Sequence, residues 1–414
     1  MKFMERSILH SDMNSFYASV ETMLHPELSG KAMAVCGLTE ERHGIVLAKS
    51  ERAKKAGVKT GMAAWEAKSV CPDIIFREPD YPQYVKYSKA AREIYGRYTD
   101  FIEPFGMDEC WLDVTGSGIF GSGEEIAEEL RTTIHRELGL TVSVGVSFCK
   151  IFAKLGSDMK KPDAVTVISR DNFKAKVWPV PIGDLIYAGP ATVRKLAGIG
   201  VHTVGQLAQT DPKFIKRLLG VNGLKLQAAA LGNDTSRVAH KNTVIPPKSI
   251  GHGVTCVRDL YTPDEVKLVI LKLCQEVAHR LREERCLAAG VRLYIRGSDL
   301  LYSCYGERLI EPTRSAAEIA ETAFSFYETG LTGAGPVRQV TVSVYSLVGE
   351  DDSFQPWLFT DTEKKERRDR AETAVEEIRY RFGKNAVIPA SLLMENAVPD
   401  DGRHLVKMPS PMYV

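Results

Sequence analysis

The chain has 414 residues, of which 44% are apolar and 26% charged, with 33 Gly and 20 Pro. That is the composition of a folded protein of two to four domains, and it excludes wholesale disorder and collagen-like repeats. Lys and Arg number 54 against 53 Asp and Glu, a formal net charge of +1, so bulk charge does not announce a polyanionic partner.

The longest stretch free of charged side chains, Leu196–Thr210, contains three Gly and is too short to span a bilayer. The opening MKFMERSILHSD places charges where a leader needs an apolar run. The eight Cys form no C-x-x-C pair. A cytoplasmic protein without a zinc site or disulfide framework is therefore expected.

Ser7–Met13 reads as a short buried strand. Asn14 or Ser15 is positioned to cap a helix in which Phe16, Val20, Met23 and Leu24 recur at helical spacing. Lys31–Cys36 is a second strand. Ser50–Ala56 and Ala63–Val70 are small helices split by Gly57 and Gly61, and Tyr84–Asp100 is a helix. Ile102–Phe105, a turn at Gly106–Met107 and Asp108–Val114 form a strand pair. Gly123–Leu138 is an amphipathic helix, Thr141–Phe148 an alternating strand, and Ile151–Met159 a helix. This order predicts one mixed sheet backed by helices, an α+β arrangement.

Residues 172–239 change character. Ala191–Ala197, the turn Gly198–Ile199–Gly200 and Val204–Ala208 make a helix–hairpin–helix, with a looser copy at Lys216–Leu231 around Leu219–Gly223. Residues 171–240 hold nine Lys and Arg against four Asp and Glu. Residues 240–248, with Pro246–Pro247, form a polar linker. Residues 249–350 then read strand, helix, strand, strand, helix, strand. These are Gly253–Val257, Pro263–Arg282, Gly290–Ile295, Leu300–Tyr305, Ser315–Thr329 and Gln339–Leu347, a small α+β domain. Residues 351–414 are a tail with one charged helix, Asp361–Phe382.

Two segments place carboxylates at strand ends: Asp12 in HSDMNSFYASVE, and Asp108–Glu109 in FGMDECWLDVT. Three acids brought together repel one another unless cations neutralise them, and Mg²⁺, a hard ion with a taste for oxygen, suits that role. On spacing alone Asp12 is equally well a helix cap and Asp108–Glu109 a polar turn. Lys49–Lys68 carries six basic groups against two acidic, and Lys150–Lys161 four Lys against one Asp. Such patches fit a phosphate grip or a solvated helix face. In the end domain Arg292, Tyr294 and Arg296 alternate with Val291, Leu293 and Ile295, and Gln339, Thr341, Ser343 and Tyr345 with Val340, Val342 and Val344. One sheet face is thus apolar. The other is polar and basic, fit to lie along duplex phosphates or simply wet.

The order of SDMNSFYASVE, GIVLAKSERAKKAGVKTGM, GMDECWLDVT and TVSVGVSFCKIFAKLGSDMKKPDA resembles the Y-family (DinB/UmuC-like) translesion DNA polymerases of the bacterial DNA polymerase IV type, over about residues 7–350. The resemblance implies a right-hand fold. Its palm spans 1–15 and 82–171, its small fingers 16–81, its helical thumb 172–239 and its little finger 249–350. It implies template-directed DNA synthesis of low fidelity by two-Mg²⁺ nucleotidyl transfer from a deoxynucleoside triphosphate to a primer 3′-hydroxyl, without a proofreading exonuclease. Asp12, Asp108 and Glu109 match the catalytic carboxylates, and Asp12, Met13, Asp108 and Glu109 the metal-holding positions. Tyr17 matches the aromatic steric gate under the sugar. Lys54 and Lys161 match the triphosphate-gripping cations, with Phe16 a core ring whose N–H faces phosphate. Gly198 and Gly200 would offer backbone N–H groups to DNA, and Arg292, Arg296, Thr341 and Ser343 would line its backbone.

This chain departs from the family pattern at several positions. Glu51 stands where a Tyr is usual, Lys54 where Arg is common, Asn14 where an Asp is common, and Gly106-Met107-Asp108-Glu109-Cys110-Trp111 replaces Ser-Ile-Asp-Glu-Ala-Tyr. In the tail, Gln355, Leu358 and Phe359 of QPWLF resemble the pentapeptide that holds a sliding clamp. The expected partners are primer–template DNA, deoxynucleotides and the clamp, for a monomer without a membrane. The rival readings are an inactive clamp-recruited accessory protein and a nucleotide cyclase on a similar palm. All three acids are present, which argues against the first. The helix–hairpin–helix and clamp peptide argue against the second.

Overall fold

Ile8–Met13 (β1) is buried at every position, as a central strand between two packed layers must be. It leads into Phe16–Leu24 (α1), followed by Met33–Cys36 (β2), Val46–Lys49 (β3), Glu51–Lys55 (α2), Ala64–Val70 (α3), Ile75–Arg77 (β4) and Tyr81–Tyr95 (α4). Then come Ile102–Pro104 (β5), Glu109–Asp113 (β6), Gly123–Leu138 (α5), Val142–Ser147 (β7), Lys150–Met159 (α6) and Val165–Ile168 (β8). The computed structural model describes residues 5–37, 44–331, 335–352, 357 and 361–393. Among these, 5–245 and 246–393 form two units.

The first unit is built on a five-stranded sheet of order β5-β6-β1-β7-β8, antiparallel except for the β7–β8 pair. Side chains alternate across it. Leu9, Leu112, Val144 and Val146 pack toward α1, α4 and α5, with Phe16, Tyr84, Ile126, Leu130 and Ile134. Ile8 and Trp111 face Ala153 of α6 on the other side. α6 lies against the sheet because Gly145 in β7, which Gly156 in α6 faces, has no side chain. A Cβ on Gly156 would stand 3.2 Å from the Gly145 Cα.

A second, three-stranded sheet has the order β3-β2-β4 around Ala34, Val46, Ala53, Ala67 and Ile74. Two of its strands, β3 and β4, are absent from the sequence expectation. They are four and three residues long, and pairing with β2 rather than any side-chain pattern fixes them.

Phe173–Val177 (α7), Pro190–Ala197 (α8), Val204–Gln209 (α9) and Pro212–Ala230 (α10) close over a core of Phe152, Val177, Leu196, Leu207 and Ile215. The looser hairpin expected around Leu219–Gly223 is instead a single break inside α10. Gly220, at φ 67° and ψ −154°, supplies a conformation that L side chains avoid.

The second unit comprises Ser249–Leu260 (β9), Pro263–Glu283 (α11), Cys286–Gly297 (β10), Tyr302–Thr313 (β11), Ala316–Phe326 (α12), Val337–Gly349 (β12) and Thr362–Phe382 (α13). Its sheet is antiparallel, of order β11-β10-β12-β9. α11 and α12 cover one face through Val266, Ile270, Leu273, Val277 and Phe326. Three of the predicted strands are present and longer at both ends, while the one expected at Leu300–Tyr305 begins at Tyr302 and runs on to Thr313. α13 buries no residue. Charge holds it: Arg282–Glu372 at 2.8 Å, Arg314–Asp369 at 2.9 Å, Lys365–Glu311 at 2.6 Å and Arg368–Glu318 at 2.9 Å.

Candidate active site

β1 ends where β6 begins. Asp12 pairs in register with Glu109, and the Met13 N–H donates to the Asp108 carbonyl at 3.0 Å. Acids far apart in sequence thus meet at one end of the five-stranded sheet. Burial, then the charges of Asp12 and Glu109, raise the Asp108 carboxyl to about 7. Asp12 is also raised, by burial and by Glu109. Burial likewise pushes Glu109 upward, but the Lys154 ammonium at 2.7 Å outweighs it and holds Glu109 low.

The cluster brings its own cations. Lys154 Nζ on α6 is 2.7 Å from Glu109, 3.5 Å from Asp158 and 3.8 Å from Asp12. Lys161 Nζ is 2.7 Å from Asp12 and 2.8 Å from Asp158. His10, fully buried and shifted to about 4 by that burial, is neutral. Its Nδ1 lies 2.9 Å from the Ser157 hydroxyl, and its Nε2 approaches Glu109 at 3.3 Å without hydrogen-bond alignment. Among the described residues no three His, Cys, Asp or Glu are set as a ready metal cage. The donor set still fits a hard divalent cation. It is all oxygen, two of its carboxyls are short of positive charge, and two ammonium groups already stand at those oxygens as stand-ins.

Tyr17 lies in the first turn of α1. Its ring stacks on Tyr84 at 4.3 Å and 14°, and its hydroxyl donates to Met107 Sδ at 3.3 Å. The Tyr84 hydroxyl donates to the buried Glu21 at 2.6 Å. Phe16 is core, 3% exposed. The expected side-chain cap of α1 is not there. Ser15 is left-handed at φ 46° and makes no cap bond, while the Asn14 amide donates to Ser143 Oγ at 2.9 Å and its carbonyl accepts from the Asp163 N–H. Asn14 therefore ties β1 to the strand and loop beside it. Lys54 is exposed on α2 and pairs with Glu51 at 3.6 Å, so the unusual carboxylate neutralises its neighbour.

The turn at Gly198–Ile199–Gly200 differs from expectation. The N–H groups of Gly198, Ile199 and Gly200 donate to the carbonyls of Arg194, Leu196 and Ala197. They close the end of α8 instead of facing outward, and the exposed charges there are Arg194 and Lys195. In the second unit Arg292 lies opposite Ser343, Tyr294 opposite Thr341, and Arg296 opposite Gln339. Val291, Leu293, Ile295, Val340, Val342 and Val344 are fully buried on the other face. The guanidinium of Arg292 sits over Tyr345 at 4.8 Å, and that of Arg296 over Tyr302 at 4.9 Å. Gln355, Leu358 and Phe359 lie outside the described residues. Trp357 between them is half exposed, and its N–H donates to Glu311 at 2.5 Å.

Sequence reasoning missed Lys154, His10, Asp158 and Tyr84. Lys150, Lys154 and Asp158 recur at i, i+4, so a signal for one charged stripe on α6 was present in KIFAKLGSD.

The fold is that of a polymerase hand. It aligns with the Y-family DNA polymerase chimera Dbh-Dpo4(243-245)-Dbh at a TM-score of 0.73, over 83% of this chain and 99% of that one, at 23% identity. Residues 11–158 match the impB/mucB/samB family and residues 247–356 the C-terminal domain of that family, to which this chain belongs. It is 45% identical over 396 residues to DNA polymerase IV of Acetivibrio thermocellus, covering 95% of this chain and 99% of that one. It is 37% identical to DNA polymerase IV of Pelotomaculum thermopropionicum, covering 94% and 97%. With DNA polymerase IV 1 of Bacillus subtilis it shares 35% identity over 84% of each chain. No helix among the described residues is long and apolar enough to cross a membrane.

Proposed function

We propose that this chain is a template-directed DNA polymerase of the Y-family type, acting in translesion synthesis with low fidelity and without a proofreading exonuclease. The meeting of Asp12, Asp108 and Glu109 at one sheet end carries the reading. Full-length relatives named DNA polymerase IV support it. In this reading residues 1–15 and 82–171 are the palm, 16–81 the fingers, 172–239 the thumb and 249–350 the little finger. Asp12, Asp108 and Glu109, with the Met13 carbonyl, would hold Mg²⁺. When bound, two such ions activate the primer hydroxyl and neutralise the leaving pyrophosphate.

The rest of the chemistry falls to this chain's own side chains. Lys154 and Lys161 hold the acids in place by charge, and Lys161, beside Asp12, is placed to grip the triphosphate. Lys54 and Phe16 complete that pocket. The Tyr17 ring, braced on Tyr84, excludes a 2′-hydroxyl. Arg292, Arg296, Thr341 and Ser343 face the DNA backbone, and Gln355, Leu358 and Phe359 dock on the sliding clamp. The protein works as a cytoplasmic monomer.

Primer extension with Mg²⁺ on undamaged and abasic templates tests the assignment. Asp108→Ala loses extension by roughly a thousandfold or more, while duplex affinity persists. Full extension by the variant refutes it. For the clamp, deletion from residue 351 is a poor test, because it removes α13 from Arg282 and Arg314. Replacing Gln355, Leu358 and Phe359 together by Ala keeps basal synthesis and loses stimulation by added clamp. Equal stimulation of both forms removes the clamp claim.

A further inference from the structure

A cavity of about 580 Å³ opens in the first unit away from the acidic cluster. Its walls come from α4, β5 and residues 239–245, and include Lys89, Arg92, Glu103, His240 and Lys241. Three of its six charged side chains are already matched. Lys241 pairs with Asp100 at 2.7 Å. Glu103 accepts from Lys150 Nζ at 2.6 Å and from the Ala239 N–H at 2.9 Å. Arg97, also on the wall, is forked onto Glu137 with both bonds at 2.7 Å.

Arg92 is different. It is partly buried, and its Nε and one Nη donate to the Ser88 carbonyl and hydroxyl at 3.2 Å each. Among the described residues no carboxylate comes within ion-pair distance of it, and burial lowers its hold on its proton. Lys89, one turn earlier on the same wall, has no carboxylate partner either, and the exposed Glu93 pairs with neither. A half-buried guanidinium left without counter-charge gains from an anion that completes it. Its planar fork suits phosphate oxygens. The position has consequences for the site. The buried Ser88 hydroxyl that Arg92 holds also donates to the Met107 carbonyl, one residue before Asp108, and Met107 Sδ receives the Tyr17 hydroxyl.

We propose that this cavity is a binding site for a phosphate oxyanion, held by Arg92 with Lys89. The phosphate comes either from a nucleic-acid backbone or from free inorganic phosphate. The first source rests on the polymerase reading; the second does not.

The test uses the full chain with Arg92→Gln, Arg92→Lys and Lys89→Gln. Thermal stabilisation by inorganic phosphate is measured against chloride at matched ionic strength. Primer–template affinity is measured across a salt series. If free phosphate is the ligand, Arg92→Gln loses the phosphate-specific stabilisation and Arg92→Lys keeps part of it. If the backbone is the ligand, Arg92→Gln weakens duplex binding by about tenfold and flattens the salt slope by about one. Should Arg92→Gln fail to fold, Lys89→Gln carries the same readings at smaller amplitude. Unchanged phosphate stabilisation together with unchanged duplex affinity and salt slope overturns the proposal. Asp108→Ala separates the two readings, because it abolishes extension without touching Arg92.

Discussion

Gly145→Ala is the smallest change that pries the site apart from a distance. A Cβ at Gly145 would stand 1.9 Å from the Ala153 carbonyl oxygen, 2.5 Å from the Ser157 nitrogen and 2.9 Å from the Gly156 carbonyl carbon. All three are backbone atoms, so no rotamer change relieves the overlap. α6 must withdraw by about 1 Å or more before ordinary contact distances return. Overpacking of this kind costs about 3 kcal/mol, which lowers the melting temperature of a unit this size by about 6–12 °C. The withdrawal also moves Lys154 off Glu109 and Ser157 off His10, contacts of 2.7 and 2.9 Å. A displacement near 1 Å at reacting groups costs about a hundredfold in rate. Thermal unfolding followed by circular dichroism gives the first quantity. Primer extension at a temperature where both proteins are folded gives the second. Gly156→Ala is the control. Its Cβ meets the Gly145 Cα at 3.2 Å and the Thr166 carbonyl at 3.3 Å, and a gain of about 1 kcal/mol in helix propensity offsets the crowding. If Gly145→Ala melts with the wild type, α6 is not wedged against β7.

Tyr17→Ala removes the ring braced on Tyr84 and lowers discrimination against ribonucleotides by about a hundredfold. Single-nucleotide incorporation with paired deoxy and ribo substrates measures it, and unchanged selectivity places the gate elsewhere. A second expectation concerns pH. His279 on α11 is raised above its ordinary value, first by its hydrogen bond to Glu376 of α13. Its contribution to α13 docking is therefore complete below a pH of about 6.5 and fades as pH rises through the folded-state value. Amide exchange of α13, corrected for intrinsic rates, should show more protection at low than at high pH. His279→Gln should flatten the difference, and a pH dependence that survives the substitution rules the pairing out.

Some of this architecture is written locally in the chain. α5 spans the predicted Gly123–Leu138 because Ser122 caps it, with Glu125 completing the capping box. β7 is found from its alternating valines. β3 and β4 are not, because runs so short have no pattern of their own and exist only by pairing with β2. Asp12, Asp108 and Glu109 are legible because a family pattern surrounds them. Lys154 is legible only as one member of a basic patch, and its place at Glu109 emerges when α6 is seen lying across the sheet. Asn14 and Ser15 show the opposite error. Local capping chemistry predicts one role, and tertiary bonds to Ser143 and Asp163 assign Asn14 another. At Gly198–Gly200 the sequence allows outward donors, but helix closure claims them first.

α13 buries no residue, and charged groups dominate its hold on the second unit. Detaching such an arm hydrates very little hydrocarbon, so the heat capacity should scarcely change. Its attachment free energy then changes nearly linearly on warming, while the apolar core beneath it follows the usual curved dependence. Ionic strength governs the arm and temperature governs the body, so the two can come apart under different conditions although one chain carries both.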